Sequence, residues 1–360
     1  MWHVIIAKMI KYVQSKPIDY ERIQSLLNHS VQAHTFTNGG PVKQLLEKKL
    51  SELFNLDSNH RVICTNNGTA ALFILLSMYE KITDYPDLKF ATPAFNFPAA
   101  VVNKLKVEIF DLELVEHDHS ISYRIPIEIL KEAQHDGYII PTLFGTVPTN
   151  FEELIRWCET DSKILILDNA SSPLTNKNGK NINTFGSSSM GSGHHTKYLG
   201  FAESGFAVIP SQHYDLYSRL TNFGFDDNRK HCNLASNAKI SDIGASFVLA
   251  HIETYDVEKH LRIQKKYIEA LHNIKGVKVF AESNDWNIVY GNMPVCFKEE
   301  ISHLVFRDVG IECNKYYKPL VAFPESEKLY KRIINLPLHA GLTNYDLSLI
   351  LKKVEIEAKK

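Results

Sequence analysis

The chain has 360 residues, 44% of them hydrophobic and 22% charged, enough to bury a large core and to divide into two domains. A formal net charge of −1 excludes the broad basic footprint of a nucleic-acid binder, and no basic stripe for a membrane surface stands out. The five cysteines, Cys64, Cys158, Cys232, Cys296 and Cys313, are scattered without a C-x-x-C pair, the usage of reduced thiols in a cytoplasmic protein.

The first residues, MWHVIIAKMIKYV, are apolar but interrupted by Lys8 and Lys11. They are too short to span a membrane and lack a cleavage site, so a helix on the body or a partner contact is expected. HRVICT (His60–Thr65) reads as a strand, and GTAALFILLSMYEKI after it as a helix, with Leu72, Leu75 and Leu76 at helical spacing. LKFATP (Leu88–Pro93) is a second strand, AAVVNKL a helix, VEIFDLE a third strand and GYIIPTLFG (Gly137–Gly145) a fourth. NFEELIRWCE is a helix with Asn150 as N-cap. KILILD (Lys163–Asp168) and GFAVIP (Gly205–Pro210) are further apolar strands. Apolar strands alternating with helices imply a largely parallel sheet covered on both faces, with ligands bound beyond the strands' carboxyl ends. Gln212–Asn237 is polar and reads as a long functional loop. A long helix around Ile243–His260 bridges to a smaller α+β domain, in which WNIVYGNMPV is a strand and YDLSLILKKVEIEAKK the last helix. The expected division is a large domain over 1–245 and a small one over 246–360.

Four features carry chemistry. In NNGTAAL (Asn66–Leu72) a glycine between strand and helix offers free first-turn N–H groups and the Thr69 hydroxyl, which suits a phosphate but also an ordinary capped turn. Asp168 ends an apolar strand; it is a cap, or a carboxylate that pairs with a metal or with a protonated ring nitrogen. Lys197 lies among small residues in SSSMGSGHHTKYLGFAESG, between two apolar strands. It is a surface charge, or an amine whose desolvation lets it form a Schiff base. Adjacent His194 and His195 project in different directions, and no second carboxylate or cysteine stands at a metal-site spacing, which argues against a metal. Phe95 and Phe97 follow a strand as core residues or as a ring to stack on a flat cofactor. Together these form a parts list for pyridoxal phosphate.

The order of these parts resembles the DegT/DnrJ/EryC1/StrS sugar aminotransferases, from TNGGP (Thr37–Pro41) to LPLHAGLTNYDL (Leu336–Leu347). GTAAL matches the phosphate-cup motif, PAFNFPA the aromatic segment, LDNA the D-x-A motif and GSGHHTKYLGFAESGF the lysine segment. NAKISDIGA (Asn237–Ala245) and GIECNKYYKPL (Gly310–Leu320) match two more. The resemblance implies an α/β, fold type I transferase: a mostly parallel central sheet flanked by helices, with a smaller C-terminal α+β domain. It places Gly68, Thr69, Ala70 and Ser192 at the phosphate, Phe97 over the ring and Ser171 near the cofactor's 3-hydroxyl. Asn237 would reach the neighbouring subunit's phosphate, implying a homodimer with shared active sites. Tyr317, His339 and His195 fall in segments that line a sugar pocket. Gly191 and Gly193 replace two aromatics, Ala202 and Ser204 depart from a G-E-G-G run, Lys239 and Asn314 replace arginines, and Val321 replaces a frequent histidine. The two glycines imply a roomier or more mobile site.

By this resemblance Lys197 and Asp168 are catalytic, and the chain moves an amino group, from glutamate, to a nucleotide-linked 4-keto- or 3-keto-6-deoxyhexose for surface glycans such as lipopolysaccharide O-antigen or for glycosylated natural products. Keto-sugar dehydration, which uses a histidine at the lysine's place, and a non-catalytic regulatory or assembly role are the alternatives. A cytoplasmic location without membrane or nucleic-acid partners is expected.

Overall fold

The computed structural model describes residues 9–102, 107–280 and 285–360. Its centre is a seven-stranded sheet. In spatial order the strands are His60–Thr65, Gly205–Pro210, Ser188–Ser192, Ile164–Asp168, Gly137–Pro141, Phe90–Pro93 and Val107–Phe110. Pairing is parallel from Ser188–Ser192 to Val107–Phe110, and Gly205–Pro210 runs antiparallel to both neighbours. The central strands are buried on both faces, as their apolar runs require. Ile139 and Ile166 enter the core beneath helix Gly68–Thr83, while Tyr138, Ile140, Leu165 and Leu167 enter the core on the other side.

That second core continues into a five-stranded sheet. Three of its strands, Val277–Phe280, Met293–Phe297 and Ile333–Leu336, come from the C-terminal third. The other two, Glu113–Glu116 and Ser120–Arg124, come from about a third of the way along the chain. Helices Tyr20–Gln32 and Pro41–Leu53 pack with Asp242–Thr254 over Val62, Phe206 and Val208. Asp242, from the NAKISDIGA motif, holds this trio: its carboxylate accepts from the N–H groups of Val42 (3.2 Å) and Lys43 (2.9 Å) and from Ser30 Oγ (2.6 Å). It thereby caps a neighbouring helix across the chain.

Several local expectations are corrected. Residues 9–13 form no helix: Ile10 bridges to Ile311 as a strap along the C-terminal unit, and residues 1–8 of the expected helix lie outside the described residues. AAVVNKL begins as a short 3₁₀ turn, Pro98–Ala100, and its residues 103–105 also lie outside the described residues. Asn150 precedes helix Phe151–Thr160 but does not cap it; its amide bonds the Ile125 main chain at 3.0 and 2.8 Å. The bridging helix is two, Asp242–Thr254 and Val257–Leu271, because Asp256 caps the second through the Lys259 N–H. WNIVYGNMPV is strand only at its ends, Trp286–Asn287 pairing with Asn176–Lys177 and Met293–Phe297 joining the five-stranded sheet. The polar stretch after Pro210 contains a helix, Tyr214–Leu220, anchored by buried Tyr217 and Leu220.

Candidate active site

Sheet register brings the chemistry to one edge. Thr65 and Ser192 both lie opposite Gly205, and Met190 pairs with Asp168. The carboxyl ends of three strands therefore converge, and helix Gly68–Thr83 starts against them. A Cβ on Gly68 would stand 3.1 Å from Met190 Cε and 3.3 Å from Ser192 Cβ, so the helix start and Ser192 form one close-walled cup. Asn67 caps the helix by accepting from the Ala70 N–H at 2.8 Å. The N–H groups of Gly68 and Thr69 have no preceding helical carbonyl to bond, and Thr69 is exposed. Ser192 Oγ accepts from the His194 N–H at 3.2 Å, which leaves its own proton to donate.

Asp168 is buried, and its Oδ1 accepts from the Ala170 N–H at 3.0 Å. Burial pushes its carboxyl up, opposed by that N–H and by Lys197. Burial likewise pushes the Lys197 amine below the ordinary lysine range, opposed by Asp168. Each group's charge favours the ionised form of the other. Behind Lys197 lies a small apolar cavity of about 20 Å³, walled by Leu46, Leu50, Cys64, Phe206 and Val248.

Tyr317 completes the group. Its phenol is raised first by burial, then by Asp168, and lowered in part by the neighbouring Ser171. Its ring stacks on Phe144 at 5.8 Å and meets the Phe97 edge at 6.2 Å. Phe95 is fully buried core, whereas Phe97 is 52% exposed on the site side of the same turn. His195 is exposed beside Phe201, with its imidazole pushed down by burial and by Lys16. His339 is buried and committed to main chain: Nε2 donates to the Lys11 carbonyl at 3.1 Å and Nδ1 accepts from the Gly341 N–H at 3.2 Å. Asn237 is exposed, its Oδ1 accepting from Lys239 Nζ at 2.6 Å. Sequence reasoning missed Lys16, whose ammonium binds the carbonyls of the lysine turn. A lone lysine near a terminus carries no spacing signal.

The two glycines do not open the site. A Cβ on Gly191 would stand 2.1 Å from Phe206 Cζ, and one on Gly193 2.1 Å from Ser204 Oγ. The volume lost at 191 and 193 is refilled from the neighbouring strand, and Ser204 Oγ donates to the Gly193 carbonyl at 2.9 Å. Gly191→Ala is therefore expected to destabilise by ~1–3 kcal/mol through overpacking, measured by denaturant unfolding, and Phe206→Leu in the same chain should recover most of the loss.

A phosphorylated pyridine aldehyde fits these residues: the cup suits its phosphate, the Phe97 face its ring, Asp168 its ring nitrogen and the low-affinity-for-proton amine of Lys197 its aldehyde. A mostly parallel sheet presenting this set defines a fold type I, pyridoxal-phosphate-dependent transferase. More particularly, the model of the DegT/DnrJ/EryC1/StrS aminotransferase family matches residues 17–355, and the chain belongs to that family. It is 24% identical over 350 residues to a dTDP-4-amino-4,6-dideoxy-D-glucose transaminase of Shigella dysenteriae, covering 90% of this chain and 92% of that protein. Among solved structures it resembles a DegT DnrJ EryC1 StrS aminotransferase from Brucella abortus (TM-score 0.77, 23% identity, 94% and 96% of the two chains). It also resembles DesI crystallised in the presence of its TDP-sugar product (TM-score 0.78, 18% identity, 98% and 94%).

Proposed function

We propose that the protein transfers an amino group from glutamate to the keto group of a nucleotide-linked 6-deoxyhexose, at C4 or C3. The observation that carries this reading is the strand register that brings Asp168 and Ser192 to the same sheet edge as the start of helix Gly68–Thr83, with Lys197 five residues beyond Ser192. The relatives' nucleotide-sugar chemistry supports the substrate class. Pyridoxal phosphate, when bound, supplies the carbonyl that accepts an amine and the ring that withdraws electrons. Lys197 would hold its aldehyde, and its amine, whose proton affinity burial lowers, would serve as the base and acid at the substrate carbon. Asp168 would pair with the ring nitrogen and favour its protonated form. Gly68, Thr69, Ala70 and Ser192 would hold the phosphate, Phe97 would cover the ring and Ser171 would border it beside Tyr317. Tyr317 and His195 face the sugar, and His339 supports that wall through the strap.

The same reading takes the protein as a cytoplasmic homodimer in which Asn237 of each chain serves the other's phosphate, with products destined for surface glycans such as lipopolysaccharide O-antigen. It keeps a large unit over 1–245 and a smaller one over 246–360, the former lending Glu113–Arg124 to the latter's sheet. Among the described residues, no helix is long and apolar enough to cross a membrane. The test is incubation with glutamate and a panel of nucleotide-linked 3-keto and 4-keto sugars, read by mass spectrometry. Conversion of one keto sugar to its amine, with 2-oxoglutarate formed in equal amount, is the expected result. A dehydrated sugar, or no product from any member, contradicts the proposal.

A further inference from the structure

The turn that carries Lys197 is held from outside by another lysine. Lys16 Nζ donates to the carbonyl oxygens of His195 at 2.6 Å and Lys197 at 2.7 Å, and also to that of Gly200. Three main-chain dipoles thus point their negative ends at one spot, an arrangement that repels itself without a cation at the centre. The turn's own bonds, Lys197 N–H to the His194 carbonyl (2.8 Å) and Gly200 N–H to the Lys197 carbonyl (3.0 Å), do not supply one. Among the described residues no carboxylate pairs with Lys16 within 4 Å. All its close acceptors are neutral carbonyls, so its charge is committed to the turn.

The other end of the strap is fixed to the C-terminal unit. Ile10 exchanges main-chain bonds with Gly310 and Glu312 at 2.8 and 2.9 Å. The Tyr12 N–H and the Lys11 ammonium both bind the Glu312 carboxylate, at 3.1 and 2.8 Å. Gln14 Oε1 accepts from the Gly341 N–H at 3.2 Å. The strap therefore runs from the segment that supplies Tyr317 to the turn that supplies Lys197.

We propose that Lys16 is a positioning residue: its ammonium gathers the three carbonyls and fixes the backbone from which Lys197 reaches the cofactor, tying that turn to the substrate-side wall. The proposal rests on the reading of Lys197 as the cofactor's attachment point. Lys16→Met keeps the length and apolar stem but removes the cation. Lys16→Arg keeps the charge and several donors.

Two measurements test it. In cofactor-free protein, hydrogen exchange of the peptide spanning 194–201 should quicken on the order of 10–100-fold in Lys16→Met, the loss of one or two charge-assisted contacts, with the central strands unchanged. Lys16→Arg should exchange near the wild-type rate. In a titration with pyridoxal phosphate, Lys16→Met should bind ~10-fold or more weakly, and added methylammonium should restore part of the loss. Unchanged exchange at 194–201, exchange quickened evenly along the chain, or local quickening with unaltered cofactor binding would each overturn the proposal. If wild-type protein takes no cofactor on Lys197 while the exchange difference persists, the attachment reading fails and the tether remains as backbone structure alone. Should Lys16→Met fail to fold, the decision passes to Lys16→Arg, whose cofactor affinity must stay within a few-fold of wild type for the proposal to stand.

Discussion

Lys197→Ala is expected to lower the transamination rate by about 10⁴-fold, because one amine is asked both to hold the cofactor and to move the proton. Steady-state kinetics with glutamate and the accepted keto sugar measure it. The fold should survive: the residue keeps some accessible surface, and removing an amine that burial already disfavours costs little packing. Thermal unfolding of the cofactor-free variant should match wild type or exceed it. A pH signature accompanies this. Burial lowers the Lys197 pKa, so the neutral, attacking form is present at a lower pH than for a free lysine. The rate at which cofactor-free protein captures pyridoxal phosphate should rise with pH and level off below the ordinary lysine pKa of about 10.4. A rate still climbing through that value would mean that Lys197 is not desolvated.

Asp168→Asn is expected to cost on the order of 10²–10³-fold in kcat while cofactor still attaches. The amide has nearly the same shape and can still accept from the Ala170 N–H, but it cannot hold a ring nitrogen protonated. The sign of its stability effect is opposite. Burial raises the Asp168 pKa above its unfolded value, so this carboxyl favours folding below the unfolded pKa and opposes it as pH rises through the folded one. At neutral pH the cofactor-free Asp168→Asn protein should melt no lower than wild type. A kcat within twofold of wild type would remove Asp168 from the chemistry, and a large drop in melting temperature would make it a structural residue instead.

The sequence was most legible where physics leaves a chain few choices. GYIIP and ILILD are buried on both faces, so their unbroken apolar runs identify central parallel strands without alternation. Gly68 and Asp168 were legible because a strand's carboxyl end is where such a sheet exposes helix N–H groups and carboxylates. Strand Ser188–Ser192 was missed: apart from Met190 its residues are serines and a glycine, buried from Ser188 to Gly191, and Ser189 Oγ donates to the Asn183 carbonyl at 3.1 Å. No hydrophobic pattern marks a strand built mainly of serine and glycine. Helices Tyr20–Gln32 and Pro41–Leu53 were not anticipated because their apolar faces are thin and their packing depends on Asp242, about 200 residues away.

The refilling of Gly191 and Gly193 was illegible for a related reason. Each glycine, taken alone, signals lost volume. Phe206 and Ser204, which occupy that volume, stand 11 or more residues away in sequence and meet the glycines through the antiparallel pairing of Ser188–Ser192 with Gly205–Pro210. Lys16 follows the same rule: its partners lie some 180 residues on, and main-chain carbonyls carry no sequence identity for a pattern to detect.

The most direct test of the account is to load the protein with pyridoxal phosphate, reduce it with borohydride, digest it and locate the modified lysine by mass spectrometry. The account predicts one pyridoxyl group per chain, on Lys197. Modification at Lys16, Lys239 or another lysine with Lys197 untouched, or no stable modification at all, would contradict it.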